Sequence, residues 1–164
     1  MLERAEPRGL VACHSPSNRQ LKGTAAIERV TRGTGWELDV VEDVSHAEVL
    51  ERKHEAALVI DQFGDPPHPD GIGVSAIEAM AMGLPVIGRA SRPVRALYRE
   101  RLCPAVLIEG VVEFQAELAA LAVNEERRQA LGEDGRAWVA RFHGSGRALE
   151  DLEALGACTE LVAA

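Results

Sequence analysis

Five short apolar runs, set apart by stretches long enough for a helix, constrain this chain more than any other feature. They are "GLVAC" (9–13), "WELDVVE" (36–42), "ALVIDQ" (57–62), a run near 85–88 and "AVLIE" (105–109). Strands that are β-branched and largely apolar are covered on both faces, and alternation with helices makes their sheet parallel. A helix is predicted from about Thr24 to Arg32, with Ala25, Ile27 and Val30 apolar and Thr24 as candidate N-cap. Ser45 is placed to cap a helix through "HAEVLERKHEA", with Glu48 three residues on as in a capping box. Another helix runs from about Gly73 to Met82, and the chain from about Val112 to Leu155 reads as mostly helical. The expected fold is α/β: a doubly wound, Rossmann-like parallel sheet of about five strands flanked by helices, with strand one central. Residues 1–8 form a polar tail, and 9–164 form one domain. With 164 residues, such a domain buries about two-thirds of its unfolded surface.

Composition narrows the partners. The net charge of -8 repels nucleic acid and anionic membrane, so a phosphate-bearing ligand needs a local cluster of cations. Cys13, Cys103 and Cys158 are odd in number and contain no C-x-x-C pair, which fits a reducing compartment without a disulfide framework. No apolar run approaches the roughly 18–20 residues of a membrane span, and "MLERAEPR" (1–8) is too polar for a signal peptide. A soluble, cytoplasmic protein is expected, peripheral to a membrane only through a partner domain. His46 follows Ser45 at a helix start and reads as a surface residue, His54, His68 and His143 show no partner pattern, and no His/Cys cluster predicts a metal. A G-x-S-x-G elbow, a P-loop and a dinucleotide G-x-G-x-x-G are all missing from the sequence.

In parallel sheets ligands bind outside the carboxyl ends of the strands, here the loops at 14–23, 42–46, 62–73 and 88–95. "DGIG" (70–73) leads straight into a helix whose first N–H groups, with the helix dipole, make an anion site. Gly71 and Gly73 allow close approach of the backbone. Glu78 lies roughly 6–8 Å along that helix, about the distance from a pyrophosphate to the ribose diol of the same nucleotide. A carboxylate there can accept two hydroxyl hydrogen bonds, each contributing about 1.5–3 kcal/mol. Asp70, at the mouth, can accept hydroxyls from whatever hangs off the far phosphate. An ordinary α/β loop would also contain Gly-x-Gly, and Glu is a good helix former. Arg19 and Lys22 stand beside Gly23 at the carboxyl end of strand one, two cations of the kind a diphosphate requires. Alone they also fit a solvated turn. His14, directly after strand one, either contacts a phosphate or sugar hydroxyl or is satisfied by nearby backbone.

Together, "SNRQLKGT" after a first strand and "DGIGVSAIEAMAMGLPVIG" resemble the donor-binding half of GT-B glycosyltransferases. The match is to the retaining, family 4-like group with an E-x7-E element followed by "EAMAxGxPVI". "LGEDGRAWVARFHGSGRALEDL" is similar to the closing helices of that domain, so the resemblance spans about 9 to 155. It implies that Glu78, the second acid, holds the nucleotide ribose and that Asp70, the first, contacts the donor sugar. Lys22 matches the lysine that neutralises the departing diphosphate, and Gly71 to Gly73 supply amides near sugar and phosphate. Gly23, Ile72, Val74, Arg19 and His14 complete the expected donor-binding set, with Asp70 and Lys22 carrying the catalytic roles. Family members transfer a sugar from a nucleoside-diphosphate sugar with retention and without a required metal or cofactor.

The sequence departs from the family pattern in four places. Asp70 replaces the usual glutamate, one methylene shorter. Arg19 lies three residues before Lys22, whereas the family arginine more often lies five before, where Ser17 stands. The span from Lys22 to Asp70 is short by about one strand–helix unit between 33 and 56. Only about eight residues precede strand one, so the acceptor-binding domain is expected on a separate domain or chain. A non-catalytic binding or regulatory module of the same fold is the alternative. A sugar-nucleotide epimerase or a phosphorylase would need, respectively, further acid/base residues or a lysine-bound cofactor.

Overall fold

The computed structural model describes residues 9–64 and 70–144. Five strands pair in one sheet: β1 (Val11–His14), β2 (Glu37–Val40), β3 (Leu58–Ile60), β4 (Val86–Arg89) and β5 (Val106–Ile108). All four pairings are parallel, and the order is β2-β1-β3-β4-β5. Each predicted strand is present, with ends within about two residues of those expected: β1 and β4 extend one residue further, and the others are shorter. The order corrects one expectation: β3 is central, and β1 lies between it and the edge strand β2. The connections leave β1 and β3 in opposite directions, so the crevice of a doubly wound sheet opens between their carboxyl ends.

Among the described residues five helices lie between the strands, α1 (Arg19–Lys22), α2 (Thr24–Thr31), α3 (His46–Glu55), α4 (Val74–Ala81) and α5 (Arg92–Glu100), and two follow β5, α6 (Val111–Val123) and α7 (Glu125–Phe142). Successive strand side chains point to opposite faces, which divides the core in two. Ala12, Leu58, Ile60 and Ile87 face Ile27 and Val30 of α2 and Phe114, Leu118 and Leu121 of α6. Cys13, Val59 and Val86 face Ala76, Ala79 and Met80 of α4 and Trp138 of α7. The Trp36 indole N–H donates to the Leu118 carbonyl at 2.7 Å, which pins α6 beside the start of β2.

Helix ends follow local chemistry. The Ser45 hydroxyl accepts the Glu48 N–H at 3.3 Å, so α3 begins where its cap predicts. Thr24 is not an N-cap: Gly23 occupies that position without a side-chain bond, and Thr24 is the first helical residue. The loop predicted over 14–23 contains the single turn α1, capped by Asn18, whose side-chain oxygen accepts the Leu21 N–H at 2.9 Å. Helix α5 is an addition to the predicted elements. The closing helices end at Phe142, and the part of the predicted helical tail beyond 144, with Cys158, lies outside the described residues, as does His68. No helix among the described residues is long and apolar enough to cross a membrane.

Candidate functional site

The carboxyl ends of β1 and β2 and the first turns of α3 and α4 enclose a cleft of about 620 Å3. Arg19 and Lys22 line it from the loop after β1, Glu42 and His46 from the loop after β2, and Val74, Ser75 and Glu78 from α4. The cleft therefore lies at the crevice the strand order defines. Of the charged residues singled out in the sequence, it brings Arg19, Lys22 and Glu78 together.

Glu78 reaches the cleft through a partner the sequence does not advertise. Lys53 of α3 is 1% exposed, and its ammonium lies 2.7 Å from Glu78 Oε2 and 3.4 Å from the Ser75 carbonyl. His46 Nε2 stands 3.4 Å from the other carboxylate oxygen. The carboxylate is thus fixed by a buried cation behind it, while a quarter of its surface remains open to the cleft. Lys53 sits in "ERKHEA", where a lysine reads as solvated, and only the packing of α3 on α4 turns it inward.

Lys22 is equally well held. Its ammonium donates to Gln62 Oε1 at 2.8 Å and lies 3.6 Å from Asp61 Oδ1. Gln62 in turn donates to the Gly71 carbonyl at 2.7 Å, tying the first loop to the segment before α4. The Asp61 carboxylate accepts the Gly73 N–H at 2.7 Å, so that amide is not open to a ligand. The amides of Val74 and Ser75 have no intrahelical partner, as expected of a first turn, and both residues line the cleft. Two glycines make these approaches feasible. A Cβ on Gly73 would come 2.9 Å from Lys22 Nζ, and one on Gly23 would lie 2.3 Å from the Phe63 carbonyl oxygen.

The other candidates are placed differently. Arg19 pairs with Glu28 at 2.6 Å and also with Glu42, so its charge is spent locally at the rim. Asp70 does not line the cleft; its carboxylate accepts the Ser91 N–H at 2.7 Å, at the start of α5. The Ile72 N–H is directed at the Tyr98 hydroxyl at 3.4 Å. His14 is fully buried and takes the second of its two alternatives. A carbonyl can only accept, so Nδ1 donates to Ile60 O at 2.9 Å, and Nε2 accepts the Thr24 hydroxyl at 3.0 Å. This is where the Thr24 side chain goes instead of capping.

Burial holds the His14 imidazole below its ordinary pKa of 6.5, against smaller opposing pulls from the Ile60 carbonyl and Asp61. The unfolded chain therefore binds a proton that the folded chain refuses. His14 contributes fully to stability above that ordinary value, and the contribution is lost as pH falls below it. Urea midpoints at about pH 7.5 and about pH 5.5 should show a smaller acid loss for His14→Gln than for the parent. The Cys13 thiol is pushed up to about 12, chiefly by burial, and is no nucleophile. Among the described residues no group of three or more His, Cys, Asp or Glu could hold a metal.

No protein-family model and no curated protein matches the sequence. Solved structures do resemble the fold. TarM superimposes with a TM-score of 0.69 at 15% identity, over 93% of this chain and 36% of that one. A TarM mutant from S. aureus, in complex with fondaparinux, alpha-GlcNAc-glycerol and UDP, gives 0.70 at 13% identity, over 94% of this chain and 38% of that one. Sucrose-phosphate synthase from Thermosynechococcus elongatus gives 0.56 at 17% identity, over 94% and 47%. The chain thus spans between about a third and a half of the length of these structures, and its fold is GT-B glycosyltransferase-like.

Proposed function

We propose that this chain is the donor-binding part of a retaining glycosyltransferase that uses a nucleoside-diphosphate sugar. The observation that carries this reading is the convergence of Glu78 and Lys22 on one cleft at the sheet's crevice, beside the first amides of α4. Glu78 accepts the ribose hydroxyls, held in place by Lys53. Lys22 and the amides of Val74 and Ser75 take up the charge of the departing diphosphate, the part a metal plays elsewhere. Asp70 contacts the donor sugar only if it gives up the Ser91 amide. The acceptor is held by a separate domain or chain, since transfer needs both substrates positioned together.

Calorimetry with UDP and GDP tests the reading, and binding of one of them is expected. Glu78→Gln keeps an oxygen for Lys53 but removes the charge, and should weaken nucleotide binding by about 1–1.5 kcal/mol, roughly tenfold. Heat signals indistinguishable from dilution for both nucleotides would overturn it.

One observation favours a binding or regulatory module without transfer. The cations lining the cleft, Arg19, Lys22 and Lys53, face Glu42, Asp43 and Glu78, so the formal charges of the lining cancel. Under this second reading a nucleotide sugar binds, yet no donor hydrolysis or transfer appears when an acceptor-binding partner is supplied.

A further inference from the structure

We infer that Asp61 is a built-in counter-anion, buried behind Lys22 on the diphosphate side of the cleft, that lowers the cleft's affinity for a diphosphate. This inference rests on the nucleotide-binding reading above. The Asp61 side chain is 0% exposed, at the carboxyl end of the central strand. One oxygen takes the Gly73 N–H, and the other accepts no hydrogen bond while lying 3.6 Å from Lys22 Nζ. Both groups that the sequence reserves for a ligand's phosphates, the Gly73 amide and the Lys22 ammonium, are therefore already facing a carboxylate.

A carboxylate at a helix N-terminus is held by the aligned amides, so Asp61 has physical reason to stay in place. Its unbonded oxygen is then a fixed negative charge behind Lys22. An incoming diphosphate feels Lys22 and Asp61 together, and at close range the repulsion offsets much of the attraction. The ribose half of the site has no such opponent, because Glu78 is neutralised by Lys53. Recognition should accordingly come mostly from the nucleoside, with the diphosphate adding little.

Calorimetry of the full chain and of Asp61→Asn, with uridine, UDP, guanosine and GDP, tests this. Asparagine is nearly isosteric and retains an oxygen for the Gly73 amide. For the parent, the base that binds should show a diphosphate-to-nucleoside affinity ratio within about tenfold. In Asp61→Asn that ratio should rise by about tenfold or more, through tighter diphosphate binding at unchanged nucleoside affinity. A parent ratio above about a hundredfold overturns the inference without needing the variant to fold. An unchanged ratio in a folded variant overturns it as well. In both cases nucleotide binding itself survives. Absence of binding by either protein to all four ligands removes the site reading and this inference with it.

Discussion

Replacing Glu78 by leucine should lower the unfolding free energy by about 3–5 kcal/mol, read from urea denaturation followed by circular dichroism. The cost is not the loss of a surface ion pair. Lys53 is 1% exposed, and Glu78 is the carboxylate its ammonium meets. Removing that partner leaves a charge in a low-dielectric setting with one weak carbonyl contact at 3.4 Å. The reverse change is milder. Lys53→Met leaves Glu78 with access to water and to His46, and should cost less than about 2 kcal/mol. The double variant should regain most of what Glu78→Leu loses, since an apolar pair replaces an orphaned cation. A Glu78→Leu midpoint close to the parent would show that Lys53 is satisfied in some other way.

Gly23→Ala should cost about 2–4 kcal/mol and weaken nucleotide binding at the same time. Gly23 ends α1 and begins α2 at φ +71, a left-handed conformation that costs an alanine about 1–2 kcal/mol. The added methyl would also sit 2.3 Å from the Phe63 carbonyl oxygen and 2.6 Å from the Gly64 nitrogen. These are backbone atoms, and they have no room to retreat: the Phe63 N–H donates to the Lys22 carbonyl at 2.9 Å. The Phe63 ring packs on Phe114 with centroids 4.4 Å apart. Relief has to come from moving α1, which bears Lys22. Wild-type stability in this variant would mean that the first loop is less tightly docked than these distances imply.

The parallel sheet was legible because its strands are the most apolar and β-branched runs of the chain. Helix α5 was not, and the reason is visible in its residues. None of the side chains of "RPVRALYRE" is fully buried, and its short apolar stripe, Val94, Leu97 and Tyr98, is interleaved with Arg92, Arg95, Arg99 and Glu100 and begins at a proline, so it reads as a polar loop. Within the site, residue types could be read but partners could not. Glu78 and Lys22 stood out by their positions after strand ends. Lys53 and Asp61 did not, because a lysine in a charged helix and an aspartate closing a strand look ordinary until α3, α4 and β3 are brought together. Asp70 shows the opposite limit. Its spacing from Glu78 fits a shared ligand, yet its carboxylate is engaged by the Ser91 amide instead. His14 carried two alternatives, and two hydrogen bonds decide between them.

The topology also governs how this chain finds its shape. Because every pairing is parallel, no two neighbouring strands can be joined by a hairpin, and even β4 and β5 meet only after α5 has intervened. Loop closure must therefore precede the contacts that reward it, which puts refolding in the slower range, from milliseconds towards seconds. During that delay the unpaired apolar strands are exposed to one another across molecules. Yield on refolding should accordingly fall as protein concentration rises.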